Sequence, residues 1–419
     1  MRIGIDLHNL STRADASVRT GIQQVVAHIL LAQSRLRGEV LGHGIQLVPL
    51  PMLPLAFKIP SPSHVNNSAV VLRNFADETN SSIAELWDNS VGSSSANWSD
   101  QEFYERCADL DWLVITGLCD FDHVVRRLRA SLPKLKVAVL VYDLGPVRRP
   151  ELVALGMGEW FESRYLRSIR AHADLVFTIS RHTGLDCAEY FKQWPEFSGD
   201  LYSTPLPSEV PALQSVSEGQ VDMLLQRLGV KRGRFFVAIG TIEPRKNLGA
   251  AILGFRRFCE IEPNVTEDMR FLLVGKRGWN NEDARLLELL GDRTHQVIFP
   301  GYLSREDVEM TMLSSAGLLM PSRLEGFGLP LALADRLGVP TVTCNNSSLP
   351  ETTSQSSIFV PTDGADQMAL ALWRLAARPV RALPSQETLN HLRETLTNSW
   401  DQLLRDWLDC MRGKHGLAA

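Results

Sequence analysis

The stretch S-R-L-E-G-F-G-L-P-L-A-L-A, residues 322–334, decides the fold. The apolar run before it, G-L-L-M at 317–320, reads as a buried strand ended by Pro321. After it, a helical pattern runs from about 329 to 337, with Pro330 suited to the first turn and Gly338 to the stop. Between strand and helix stand Glu325, Gly326, Phe327 and Gly328. Glycines at such a turn let backbone approach a ligand closely, and the helix start offers N–H groups and the positive end of a dipole. The stretch therefore reads as an anion site with a carboxylate beside it. The plain alternative is a tight turn packed on the sheet. The other loops of the second half weigh against that alternative.

Outward from this stretch, strand and helix alternate. Residues 235–239 read as a strand, 241–246 as a loop, and 248–260 as a helix N-capped by Asn247. Its apolar face is Leu248, Ala251, Ile252, Phe255, Phe258 and Cys259. Next come a strand at 271–274, a loop at 275–279, a helix at 282–290 and a strand at 297–299. Ser304 then caps a helix to about residue 315. Such alternation predicts a parallel sheet covered on both faces.

The first half opens the same way. Residues 2–7 read as a strand, 8–20 as a loop, and Gly21 starts a helix with Ile22, Val25, Val26, Ile29 and Leu30 on one face. A second unit begins at 45–50, and residues 61–100, dense in Ser and Asn, read as part of a long surface insertion spanning 51–105. Strands return at 112–116, 137–141 and 175–179, with a long helix at about 158–173. The segment 193–211, rich in Pro, Ser and Glu, predicts an interdomain linker near residue 205. Residues 399–412 form an amphipathic helix with Trp400, Leu403, Leu404, Trp407, Leu408 and Met411 along one side, better suited to core packing than to a membrane. The reading is α/β, with domains at 1–205 and 206–398 and a terminal helix at 399–419.

Composition bounds the function. A chain of 419 residues with net charge −5 and pI near 6.1 is long enough for two cores and is no nucleic-acid binder driven by bulk charge. The six cysteines lack any Cys-x-x-Cys pair, which predicts reduced thiols and neither a disulfide frame nor a zinc site. No signal peptide precedes the first strand and no apolar run reaches the ~20 residues a bilayer span needs, so the expectation is a cytoplasmic protein.

In open α/β sheets ligands bind beyond the carboxyl ends of the strands. Those ends carry G-T-I-E-P-R-K-N (240–247), G-K-R-G-W (275–279), P-G-Y (300–302), R-L-E-G-F-G (323–328) and N-N-S-S-L-P-E (345–351). Arg245 and Lys246 stand directly before a helix start, where two cations add to the dipole and suit a diphosphate. An Arg-Lys pair alone is usually a solvated face. Five polar loops at successive strand ends make that reading much weaker.

These motifs, with P-G-Y-L-S (300–304) and S-R-L-E-G-F-G-L-P-L (322–331), resemble the retaining glycosyltransferases of the GT-B fold, family four. The fold has two facing Rossmann-like domains with an interdomain cleft. Within it, the chain is most similar to bacterial mannosyltransferases of O-antigen and exopolysaccharide assembly. The resemblance is strong over 235–375, weaker at 2–26, 141–151 and 178–183, and absent at 51–105.

It implies an acceptor-binding first domain and a donor-binding second one, with the terminal helix packing back on the first. Arg245 and Lys246 match the pair that holds the donor diphosphate. Glu325 matches the first glutamate of the Glu-x7-Glu signature, which contacts the sugar. Thr241, Gly326, Phe327, Gly328 and Leu329 would line the donor, Gly301 and Tyr302 the base, and Gly21 the diphosphate. Asp143 is a candidate for acceptor binding or acid/base support, with a turn-capping aspartate as the plain alternative. Tyr142 stands where the family commonly has histidine and is assigned to the acceptor.

The second signature glutamate falls at Leu333. Asp335 lies two residues on, but two helical steps rotate it by about 200°, so it is not expected to substitute.

No Asp-x-Asp stands at a strand end, and the expectation is metal-independent transfer with no cofactor, the cations and helix starts meeting the leaving-group charge. No carboxylate nucleophile is evident, and the resemblance implies same-face attack with the donor phosphate accepting the proton. The expected partners are a nucleotide sugar and a saccharide or lipid-linked saccharide, with guanine and mannose chosen on resemblance. A rival class is an inactive relative that binds a sugar nucleotide or a partner enzyme as a scaffold. Epimerisation of a nucleotide sugar ranks below both. The basic segment 126–136 offers either peripheral membrane contact or an ordinary helix covering the sheet.

Overall fold

The computed structural model describes residues 1–6, 21–50, 100–276, 282–354 and 357–414. The expected loop at 8–20, most of the insertion at 51–105 and Arg277, Gly278 and Trp279 lie outside the described residues. Residues 100–105 of that insertion are not insertion-like. They belong to a helix, Asp100–Arg106, whose Phe103 is buried in the core.

The chain divides into two units. The first comprises Met1–Val147, Gly156–Pro207 and Thr397–Ala419. Its strands are β1 (Arg2–Asp6), β2 (Gln46–Leu50), β3 (Trp112–Ile115), β4 (Lys136–Val141), β5 (Leu175–Thr178) and β6 (Asp200–Ser203), in the order β2-β1-β3-β4-β5-β6. Every pairing among them is parallel. The central strands are continuous apolar runs because helices cover both faces, as parallel sheets require. Val137, Val139 and Val141 are fully buried.

The helix Gln386–Met411 joins this unit from Thr397 onward, earlier than residue 399. Trp400 stacks on His28 at 4.6 Å and Trp407 on Phe177 at 4.5 Å. Arg35 grips Asp401 at 2.6 Å, and Arg405 grips Glu39 through two bonds of 2.9 Å. The basic segment 126–136 covers the sheet. Val125, Leu128 and Leu135 are buried, and Arg129 pairs with Asp174 at 2.7 Å, so its apolar side is committed to the core.

The second unit comprises Arg148–Leu155 and Ser208–Leu396. Its strands are β7 (Phe235–Ile239), β8 (Arg270–Val274), β9 (Val297–Gly301), β10 (Gly317–Met320), β11 (Thr341–Cys344) and β12 (Ile358–Val360). Their order is β12-β11-β10-β7-β8-β9, again parallel throughout. Building starts at β7, goes outward through β8 and β9, then returns to the other side of β7 at β10. The switch point therefore lies between β7 and β10, and the crevice beyond their carboxyl ends is where this topology places a ligand.

The predicted linker near 205 is partly structure. Asp200–Ser203 is strand β6, and residues 208–213 are buried backbone held by distant side chains. Glu309 accepts from the amides of Ala212 at 2.7 Å and Leu213 at 2.9 Å, while Arg305 donates to the Val210 carbonyl at 2.8 Å. Arg393 donates to the carbonyls of Pro211 and Ala212.

Candidate active site

The loops after β7 and β10 meet at the switch point. After β7 the chain turns through Gly240, passes the short 3-10 turn Pro244–Lys246, and enters the helix Leu248–Ile261 through Asn247. Asn247 does not cap that helix with its side chain. It sits in the left-handed region at φ 53°, and its Nδ2 donates instead to the carbonyls of Pro321 at 3.1 Å and Thr362 at 2.7 Å. The residue thus ties the β7 loop to the β10 loop. Its neighbour strand end is equally tight. Gly275, at φ 147°, could carry no side chain, because a Cβ there would lie 2.0 Å from the Gly240 carbonyl oxygen.

Arg245 and Lys246 converge on one buried carboxylate. Arg245 Nη1 donates to Glu325 Oε2 at 2.6 Å and to the Leu324 carbonyl at 3.0 Å. Its Nε donates to Glu243 at 3.0 Å. Lys246 Nζ donates to Glu325 Oε1 at 2.8 Å, which engages one of the three protons an ammonium carries. Burial raises the Glu325 pKa, but the positive charges of Arg245 and Lys246 outweigh it and hold the carboxyl down at about 2. Glu325 is ionised throughout the neutral range, and two cations are fixed at a strand-to-helix turn. Sequence reasoning missed Glu243, which is buried behind Arg245 and braces it.

This has a pH consequence. A folded pKa of about 2 against an ordinary 4.5 gives stability that is present above pH 4.5 and fades as pH falls through 2. In urea titrations at pH 6 and pH 3, wild type should lose about 2 kcal/mol more than Glu325→Gln between the two pH values. Equal losses would mean that the carboxylate gains nothing from its two cations.

The turn 324–329 is buried, including Gly326, Phe327, Gly328 and Leu329. Gly328 lies at φ 103° at the start of the helix Leu329–Arg336, the conformation that glycine alone adopts without strain. Leu333 faces the core, fully enclosed, and Asp335 is turned elsewhere, accepting from Ser354 N at 2.8 Å and Thr353 Oγ1 at 3.3 Å. Thr241 is half-buried beside Gly240. At the end of β9, Pro300, with Tyr302, Leu303 and Ser304 beyond it, lines a cavity of about 430 Å³ together with Arg227 and Asp307. Tyr302 is half-exposed there and Ser304 caps the following helix by accepting from Asp307 N.

Three predicted residues belong to the first unit. Gly21 is exposed at the start of the helix Gly21–Arg35. Tyr142 is buried, its hydroxyl donating to the Thr116 carbonyl at 2.9 Å. Asp143 accepts from Gly145 N at 2.8 Å, the turn-capping geometry.

Residues 233–378 match the family described as glycosyl transferases group 1. The fold is GT-B, and the chain resembles the GT-B glycosyltransferases. The O-antigen chain mannosyltransferase B of Escherichia coli is 29% identical over 203 residues, covering 45% of this chain and 52% of that protein. The serotype-specific mannosyltransferase WbdA of Escherichia coli is 25% identical over 299 residues, covering 67% of this chain and 35% of that protein. The chain thus spans about half or less of the curated relatives it matches. Over the whole chain the GT-B architecture superposes on Anabaena HepE in complex with UDP and glucose at a TM-score of 0.63, with 11% identity and 99% and 100% of the two chains covered. The group 1 match includes Arg245, Lys246, Glu325 and the loop after β11.

Proposed function

We propose that the chain is a retaining glycosyltransferase that moves a hexose, mannose by resemblance, from a nucleotide diphosphate sugar to a growing saccharide of a cell-surface polysaccharide. One observation carries the reading. The cations Arg245 and Lys246 stand at the GT-B switch point, both bonded to the buried carboxylate Glu325.

Breaking the bond between sugar and diphosphate puts negative charge on the departing phosphate oxygen and positive charge on the sugar. Lys246, with two further N–H donors, and the start of the helix at Leu329 meet the first charge. Glu325 meets sugar hydroxyls. The acceptor hydroxyl attacks from the same face and passes its proton to the departing phosphate oxygen, which keeps the anomeric configuration. Fixed cations supply the electrophilic help, so no metal or cofactor is assigned to the reaction. The cavity beside Tyr302 suits the base, and guanine with GDP-mannose as donor follows from the mannosyltransferase relatives. The acceptor, a saccharide or lipid-linked saccharide, is assigned to the first unit near Asp143 and Tyr142. The setting is cytoplasmic, with peripheral contact at the inner membrane face where the acceptor is lipid-linked. Among the described residues no helix is long and apolar enough to cross a membrane.

Leu333, buried where the family signature has its second glutamate, favours one other reading, an inactive relative that binds a sugar nucleotide or partner as a scaffold. Turnover with any nucleotide sugar separates them, and a thermal-shift titration with GDP, UDP, ADP and dTDP, without added metal, tests the donor site first. The proposal predicts selective stabilisation by GDP, about 2.7 kcal/mol at a hundredfold excess over Kd. Binding of none of the four at millimolar concentration would favour the scaffold.

A further inference from the structure

The loop after β11 holds the Glu325 turn by its backbone. Asn346 Nδ2 donates to the Ser322 carbonyl at 3.2 Å and to Thr362 Oγ1 at 3.2 Å. Ser347 donates to Asn346 Oδ1 at 3.1 Å and accepts from Glu325 N at 3.0 Å. Ser348, fully buried, shares its one hydroxyl proton between two carbonyls, those of Glu325 and Phe327, each at 2.9 Å. With Asn247 on Pro321 and Arg245 on Leu324, five carbonyls of the turn are gripped by side chains from other loops.

A trans peptide plane carries its C=O and the following N–H on opposite sides. Ser348 draws in the carbonyls of Glu325 and Phe327. It therefore turns the N–H groups of Gly326 and Gly328, in the same two planes, the other way. That direction matters because backbone N–H groups at a helix start are what an anion meets. Ser347 adds a second device. It is one of two described non-glycine residues at positive φ, 46°, and its hydroxyl accepts from Glu325 N. A side chain kept in a conformation that favours glycine is a local cost retained for a contact.

The geometry points to Asn346, Ser347 and Ser348 as positioning residues that preset the peptide planes of the Glu325–Gly328 turn for the donor. The inference rests on the transferase reading of the site, and deepens it by naming what shapes the turn. None of the three is assigned a contact with the reacting atoms. Their action runs through the peptide planes of the turn and the carboxylate of Glu325.

Two variants and two readouts test it on the full chain. Ser347→Gly removes the hydroxyl at a position whose backbone suits glycine, so relief of strain offsets part of the lost Glu325 N–H bond and the variant should fold with a melting temperature near that of wild type. Its kcat with a nucleotide sugar should still fall about tenfold, with KM within threefold, and amide exchange of the 325–329 peptide should speed up. Ser348→Ala should lower kcat by about a hundredfold. If Ser348→Ala fails to fold, Ser347→Gly decides alone. Unchanged exchange in 325–329, or kcat within twofold of wild type in Ser347→Gly, overturns the inference. If wild type transfers no hexose, the transferase reading fails by itself, and the exchange rates still decide whether these residues set the turn.

Discussion

Lys246→Ala should lower hexosyl transfer by about 10²–10³, chiefly in kcat. The ammonium reaches Glu325 with one donor at 2.8 Å and is nearly enclosed at 12% exposure, so its field is little screened by water. Glu325 keeps its bond to Arg245 at 2.6 Å when the lysine is removed, so this variant should fold. Arg245→Ala is the harsher change. It strips Glu325 of its closest cation and releases both the Glu243 pair and the Leu324 carbonyl, and breaking a buried pair costs on the order of 3–5 kcal/mol. A double variant, Lys246→Met with Glu325→Gln, separates the two effects. It removes both charges of that pair and leaves Arg245 held by Glu243 at 2.7 Å, so the variant should fold while transfer stays low. Recovery of transfer in the double variant would show that Lys246 acts only by neutralising Glu325. Steady-state kinetics beside urea titrations read both quantities.

Trp407→Ala should cost the first unit about 3–5 kcal/mol. The indole is 2% exposed, stacks on Phe177 at 4.5 Å and donates from Nε1 to Thr204 Oγ1 at 3.0 Å. Its loss would leave a cavity between strand β5 and the terminal helix. Trp407→Phe keeps a ring on Phe177 but loses the hydrogen bond and part of the buried volume, so it should cost less than Trp407→Ala, about 1–2 kcal/mol. Urea denaturation followed by circular dichroism measures both. A loss below 1 kcal/mol in Trp407→Ala would mean that the terminal helix is not part of this core.

Where the sequence spoke clearly, it did so through local pattern. Strands β7 and β10 are apolar runs closed by Gly240 and Pro321, and the polar loops beyond them are short. That is why the Arg245-Lys246 and Glu325 loops read from the sequence as two of the polar loops at successive strand ends. Their direct pairing was not visible, because it depends on the order β10-β7 across 80 residues of chain. Strand β6, D-L-Y-S, is half-exposed at a sheet edge and carries no alternation. Residues 208–213 lack periodicity because Glu309, Arg305 and Arg393 satisfy their backbone from elsewhere. The long helix expected at 158–173 contains a π-helical turn, Phe161–Leu166, which leaves the amphipathic pattern nearly intact. Membership of Arg148–Leu155 in the second unit has no local signature at all. In the site, Asn346, Ser347 and Ser348 stood in a quoted motif, N-N-S-S, yet nothing in small polar residues says which carbonyls they will hold.

The central claim is hexosyl transfer with retention at the Arg245–Lys246–Glu325 centre. It is tested most directly by incubating the purified protein with GDP-mannose and other nucleotide sugars, an oligosaccharide acceptor and a chelator, then determining the anomeric configuration of any product. Transfer that survives the chelator and keeps the donor's configuration is the predicted result. No turnover with any donor, or a product of inverted configuration, would contradict the account.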